Sequence, residues 1–410
     1  MVKFVSFLLS VGITASLYAA WQSISPPGGY MNTIAISPVN ENIVYAASYS
    51  YPTKIFRSTN RGATWTEAGS FNSYCYAMTV SQSGVIFAGY YGYIYKSTDG
   101  GNTWTQSSSL GSTGIYDLEA HPTDANTIYG CGYRYISSGN NAIVFLKTTN
   151  AGNNWTSLDI YSGGYSYGYG IGVDRNNPNV IFVGGNGYST TYEPKIFKST
   201  NGGLSFTEVY SSTTGNYVYD VVVNPGNSNI VYACTYTDGI YRSTNAGTDW
   251  TRVSSAYYNY RLGVTPANSN YVYCSGYYYF YRSTDAGATW SDLTSGLPAY
   301  YHWGLAVSRA NHLEVLIANR AGVFKTTSGG ATWSLSSDGI NLGLPVVAIT
   351  AAPSLPTTVY IQVEDIGVYK TTNCGTNWII CPSFSSCGDM CAIAVKYNDP
   401  NYVMAIEGMG

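Results

Sequence analysis

The sequence predicts an all-β fold, a β-propeller of four-stranded blades, on three observations. A nine-residue motif, Lys96-Ser97-Thr98-Asp99-Gly100-Gly101-Asn102-Thr103-Trp104 in its fullest form, returns in eight in-phase copies ending at Trp65, Trp104, Trp155, Phe206, Trp250, Trp290, Trp333 and Trp378. The mean step from the first to the last of these is about 45 residues, the length of one four-stranded blade. Between the copies the chain carries short runs rich in Val, Ile and Tyr, bounded by Asn, Pro and Gly, and no stretch has a helical period of useful length.

Each repeat reads the same way. A first strand such as Ile34-Ala35-Ile36-Ser37 or Val221-Val222-Val223 turns through Asn and Pro (Pro38 to Asn42, Asn224 to Asn229) into a second, Ile43 to Ala46 or Ile230 to Ala233. A short polar or Gly-rich loop leads to a third strand, Ile55 to Arg57 or Ile240 to Arg242. The motif is then the hairpin into the outer strand. The stretch Trp21-Gln22-Ser23-Ile24 reads like one of those outer strands without its blade, and is expected to close the ring. After the eighth motif a ninth unit begins at Ala392 to Val395 and Tyr402 to Ala405 and has no third strand. The expectation is one ring of eight or nine blades, with an unfinished second ring, or a chain truncated at its C-terminus, as the alternative.

The pattern Ser/Thr-x-Asp/Asn-x-Gly-x-Thr-Trp resembles the Asp-box, or BNR, repeat. In a hairpin tip the Asp or Asn bonds turn amides, the Gly takes positive φ and the aromatic ring plugs the blade. The third position is Asn60, Asp99, Asn150, Asn201, Asn245, Asp285, Ser328 and Asn373 along the chain. Five amides and one hydroxyl among eight suit a turn and suit a cation poorly, so these positions read as structural, with no metal and no cofactor. The resemblance is to a secreted bacterial type of Asp-box propeller, related in its repeat to sortilin-type receptors, xyloglucanase-type glycoside hydrolases, sialidases and a photosystem II assembly factor. Sialidases share only the box, because their Phe-Arg-Ile-Pro motif is missing. Xyloglucanases carry a catalytic Asp after the second strand of an early blade, where this chain has Tyr45 to Tyr51 without a carboxylate.

Charged residues make up 10% of the 410 positions and the net charge is −3, against about 25% charged in average soluble chains. With no basic cluster, nucleic acid is not an expected partner. The 42 Tyr and 45 Gly suit an extracellular β-protein that meets partners through aromatic faces and hydrogen bonds. Residues 1–20 read as a secretory signal, with Lys3 ahead of an apolar run from Phe4 to Leu17 and Tyr18-Ala19-Ala20 as the cleavage region, so residues 21–410 form the propeller and no later segment would cross a membrane. Cys75, Cys131, Cys234 and Cys274 fall in or beside strands and read as buried thiols. Cys374, Cys381, Cys387 and Cys391 crowd together and read as one or two disulfides, with three possible pairings.

In a propeller the loop leading into each innermost strand and the loop between second and third strands share one face. Those loops are aromatic here, and Tyr76, Tyr116, Tyr169, Tyr219, Tyr258, Tyr260, Tyr301 and Trp303 are expected to converge as a ligand-binding surface for sugar rings or a protein partner. Hydrolysis of a glycoside needs two carboxylates about 5–5.5 or 6.5–9.5 Å apart. The candidates are Asp117 and Asp220, in the same register but two blades apart and so expected to be far from each other, and Asp238 and Asp365, which also fit ordinary turns. The leading functional expectation is a secreted, non-enzymatic binding or surface-scaffold propeller that engages a glycan or a surface protein. The alternatives are a glycoside hydrolase with a diverged carboxylate pair and a self-assembling extracellular protein that associates through its terminal blade.

Overall fold

The computed structural model describes residues 28–295, 297, 301–364, 366–381 and 390–407. Every regular element among them is a β-strand, and successive strands pair antiparallel in meanders. Eight four-stranded blades are present, as eight motifs require. The second and third are continuous, because the strand Thr105–Ala120 is outermost in one and innermost in the next, which gives a seven-stranded sheet. A ninth unit is a two-stranded hairpin, Met390–Val395 with Val403–Glu407. The stretch Trp21 to Ile24 and the residues 1–20 lie outside the described residues.

The box hairpins repeat atom for atom. In all eight the first Ser or Thr accepts the amide of the Gly four residues on, as Ser58 Oγ does from Gly62 N (2.8 Å) and Ser283 Oγ from Gly287 N (2.8 Å). The third-position side chain accepts the amide four residues beyond it, whether it is Asn60, Asp99 or Ser328, at 2.9 Å in each of these three. Only an acceptor at that place is needed, which is why amide, carboxylate and hydroxyl interchange. The box Gly must be Gly for two reasons. At Gly287 φ is +77°, and a Cβ would stand 2.4 Å from the ring of Tyr232 in the blade before.

That last contact also reveals how the ring closes. Gly62, in the box of the first blade, sits against Leu316 of the seventh. Trp65 donates from Nε1 to Ser336 O (2.6 Å) and from its backbone amide to Asp338 O (2.7 Å), and Gly28 bridges to Asn341. Met31, Ile34, Phe56 and Trp65 share an apolar core with Leu316, Ala318 and Val323. The innermost strands of the first and seventh blades, Met31–Ile36 and Gly304–Val307, pack together, so seven blades make the ring and the single ring of eight or nine is not formed. The repeat counts blades, whereas closure is set by how tightly successive sheets wedge together, and that packing is not written in the period. The eighth blade lies beyond the ring, held by Leu344 and Ile366 in one apolar cluster with Leu297 and Ala321. Its inner strand is bare: Ile349 is 69% exposed where Ile34, in the same register, is 6% exposed.

Cys75, Cys131, Cys234 and Cys274 are buried free thiols. Cys374 and Cys381 are not joined to each other. Cys387 and the side chain of Cys391 lie outside the described residues.

Candidate functional site

The inner strands carry a device that aims side chains down the ring axis. In five of the seven ring blades the pairing of first and second strands slips by one residue, at Asn32, Tyr116, Tyr169, Tyr219 and Tyr260. A β-bulge leaves one residue unpaired and redirects it. Tyr76 and Trp303 stand at the same place in the second and seventh blades, immediately before the strands Ala77–Val80 and Gly304–Val307. These seven residues, with Arg261, line a cavity of about 250 Å³ at the mouth of the channel.

The aromatic rings touch all the way round. Centroids lie 6.1 Å apart for Tyr76 and Tyr116, 5.1 Å for Tyr116 and Tyr169, 4.8 Å for Tyr169 and Tyr219, 5.2 Å for Tyr219 and Tyr260, and 4.1 Å for Tyr260 and Trp303. Trp303 Nε1 donates to Tyr30 OH (3.0 Å), and Tyr49 bridges Tyr30 back to Tyr76, so the annulus has no gap. Burial pushes the phenols of Tyr76, Tyr116, Tyr169, Tyr219 and Tyr260 up, leaving them neutral donors at the edge of flat apolar faces.

Six of the eight aromatic residues singled out in the sequence are thus in the inner annulus. The other two form an outer tier. Tyr258 and Tyr301 have φ of 60° and 64°, a left-handed conformation costly for an aromatic residue. Tyr301 stacks on Trp303 (5.6 Å) and receives the hydrogen bond of Tyr277 OH (2.8 Å), while Tyr258 packs on Tyr236.

One residue below the annulus the channel becomes charged. The residue after each bulge is Asp117 in the third blade, Asp220 in the fifth and Arg261 in the sixth, all lining the channel. Arg261 Nη1 lies 3.6 Å from Asp117 Oδ2, and Nη2 donates to Tyr116 O (3.3 Å). Both aspartates also clamp the neighbouring blade. Asp117 Oδ2 accepts from Ile171 N (3.1 Å), and Asp220 Oδ2 accepts from Leu262 N (2.9 Å). Burial pushes both carboxyls up; Asp220 reaches about 7, with Arg261 pulling it down and the charge of Asp117 adding to the rise. One guanidinium cannot keep two buried carboxylates ionised cheaply, so the pair is pushed towards sharing a proton.

Asp117 and Asp220, two blades apart, both face the axis, where they interact electrostatically with Arg261 and with each other. Asp238 is elsewhere, on the flank of the fifth blade, where it accepts from Tyr241 OH and pairs with Arg252 Nη1 at 3.4 Å. Asp365 lies outside the described residues. Arg261 and Asn32 were not singled out in the sequence, although Tyr260-Arg261-Leu262 has the register of Tyr116-Asp117-Leu118 and Tyr219-Asp220-Val221 and carries that signal. Asn32 is spoken for, donating to Cys75 O (2.6 Å). Among the described residues no group of His, Cys, Asp and Glu has a metal-holding arrangement, and no helix is long and apolar enough to cross a membrane.

With boxes, blades and a closed ring established, the comparisons with known proteins agree on the architecture. The family model described as sortilin, neurotensin receptor 3 (Sortilin-Vps10) matches residues 53–190. The chain is a β-propeller of the Asp-box, or BNR, type. This propeller is 29% identical to a xyloglucanase of Hypocrea jecorina (strain QM6a) over 44% of its own length and 26% of the relative's. It therefore spans about a quarter of the curated relative it matches. Among solved structures, YCF48 from Cyanidioschyzon merolae superposes with a TM-score of 0.53 at 14% identity, covering 74% of this chain and 96% of that one. YCF48 bound to a D1 peptide superposes with a TM-score of 0.50 at 11% identity, covering 73% and 92%. Those two likenesses are of fold.

Proposed function

We propose that this propeller handles a polysaccharide of the xyloglucan kind, taking its sugar rings against the aromatic annulus at the mouth of the channel. The observation that carries the proposal is the repetition of an aromatic residue at one register position in six of seven ring blades, all facing one cavity. Flat apolar faces edged with neutral hydroxyls match the axial C–H faces and equatorial hydroxyls of a β-linked glucan. The sequence match to a xyloglucanase supports that ligand class. An extracellular setting, where such polymers occur, is part of the same proposal.

The match to an enzyme favours a second reading, hydrolysis, over a passive scaffold. In that reading Asp220, which keeps its proton to about 7, is the general acid and Asp117 is its carboxylate partner. Against it stands the clamp each carboxylate forms on backbone amides and Arg261, which ties up the oxygens a substrate would need. Incubating the protein with xyloglucan, separating bound from free polymer and assaying new reducing ends distinguishes the readings. Retention of polymer without new reducing ends supports binding. New reducing ends that vanish in Asp220→Asn support hydrolysis. Absence of both overturns the polysaccharide proposal and leaves the annulus to a protein partner.

A further inference from the structure

The channel has a second end. The turns between first and second strands open on the face of the box hairpins, opposite the aromatic mouth. From the layer of Asp117, Asp220 and Arg261 the channel continues as a cavity of about 260 Å³, whose lining also includes Glu119, Arg175 and Arg309.

These three residues break the repeat. The turn after each inner strand begins Ser37-Pro38, Ser81-Gln82, His121-Pro122, Asp174-Arg175, Asn224-Pro225, Thr265-Pro266 and Ser308-Arg309. Pro is favoured at this place because its fixed φ pre-forms the turn. Four ring blades have it, and the fourth and seventh have Arg instead. Likewise, the channel-facing position two residues after Asp117 is Ala35, Thr79, Glu119, Gly172, Val222, Gly263 and Ala306 around the ring, with one charge among seven. A departure from local preference without gain to the scaffold marks a position kept for something else.

Among the described residues the two guanidiniums feel Glu119, and Arg309 also feels Glu41, but neither is held in a close ion pair. Among the described residues no carboxylate pairs with Arg175 or Arg309, whereas Glu41 and Glu314, the nearby acids of that rim, are engaged by Arg61 and Lys325. Glu41 also accepts from Ser308 Oγ (2.7 Å) and from the backbone amide of Arg309 (2.7 Å), which fixes the turn and leaves the Arg309 side chain to the channel. Burial and the charge of Arg175, opposed by Glu119 and Glu41, hold Arg309 down to about 10. Glu119 is their near neighbour, and burial raises its carboxyl.

We propose that the box-face end of the channel is a binding site for a small oxyanion, a carboxylate or phosphate group held between the Arg175 and Arg309 forks. Each guanidinium offers paired N–H donors that match two oxygens of such a group. Glu119 limits the site's charge and, when protonated, donates to an oxygen or hydroxyl of the ligand. Ala35 and Ala306 keep this part of the channel lining small. This site is separate from the aromatic mouth and does not depend on what the mouth binds.

The test is isothermal titration at constant ionic strength with two probes, inorganic phosphate and glucuronate, and sodium chloride as the control. One saturable site is expected for at least one probe. Phosphate alone would assign a tetrahedral anion, and glucuronate alone would assign a carboxylate. Arg175→Gln/Arg309→Gln should weaken binding at least about tenfold, the usual effect of removing charge-assisted hydrogen bonds. Glu119→Gln should bind as tightly or more tightly. Arg175→Lys/Arg309→Lys keeps both charges and the turns, and should weaken binding through loss of the fork. No saturable heat from either probe at millimolar concentration, or equal affinity in the Lys and Gln variants and the parent protein, overturns the site.

Discussion

Asp285, at the sixth box tip, and Asp220, on the inner strand of the fifth blade, lie at opposite ends of a blade's radius and answer to opposite forces. Asp285 accepts hydrogen bonds from Thr289 N (2.9 Å) and Thr289 Oγ1 (2.6 Å) at the surface, and these hold its carboxyl down to about 2. Asp220 is buried at the axis beside a second carboxyl, and burial lifts it to about 7. The box position repeats eight times with any small acceptor, so its identity carries turn geometry. The position after the bulge repeats as Thr33, Ala77, Asp117, Gly170, Asp220, Arg261 and Gly304, so its identity changes from blade to blade while its direction stays fixed. A repeat that holds its side chain constant builds the scaffold; a repeat that holds direction and varies the side chain builds a site.

The largest expected effect tests the scaffold. Trp65 is buried at the junction of the first and seventh blades, and Trp65→Ala should cost about 4 kcal/mol in urea unfolding, as for large core aromatics. Trp290→Ala, at a half-buried box Trp inside the ring, should cost less. Equal losses would mean that the first-to-seventh junction is no special seam.

The next effect lies at the axis. Arg261→Leu leaves two buried carboxyls without their cation and should destabilise by about 3 kcal/mol at pH 8. The loss should shrink at pH 5, where Asp220 carries its proton in the native state. A pH-independent loss would show that Arg261 acts by packing alone.

A smaller effect has a defined sign. Because the folded carboxyl of Asp220 titrates above its unfolded value, its contribution is fully present below about pH 4 and is lost as pH rises through about 7. Stability from this group should therefore fall between pH 4 and 7, and Asp220→Asn should flatten that slope in unfolding titrations. Asp285 slopes the other way, losing its contribution as pH falls through about 2. At the smallest end, Asp285→Asn should move the melting temperature by no more than about 1–2 °C, since five other boxes already use Asn. A larger shift would give the carboxylate a role beyond the turn.

Much of this was legible in the sequence. The box spacing gives eight blades, and the clustering of Tyr in loops ahead of inner strands gives the aromatic face, because a pure strand-forming role would not place Tyr116, Tyr169 and Tyr219 there. Ring closure was not legible, since the contact of Gly62 with Leu316 depends on the wedge between sheets whose contacting residues are 254 positions apart in sequence (316 − 62). The Asp117, Asp220 and Arg261 unit was half legible: the aspartates stood out as carboxylates, but the cation that joins them did not. Arg261, Arg175 and Arg309 emerge only when blades are aligned on their bulges, because each alone looks like an ordinary charge beside a turn or strand.

The most direct test of the annulus is calorimetric titration of xyloglucan oligosaccharides of increasing length into the native protein and into Tyr219→Ala/Tyr260→Ala/Trp303→Ala, with Tyr257→Ala/Tyr278→Ala as the exposed-aromatic control. Affinity that rises with oligosaccharide length, disappears in the annulus variant and survives in the control is the predicted result. Binding that survives loss of the three annulus rings, or that disappears with the two exposed tyrosines instead, would contradict the placement of the ligand at the channel mouth.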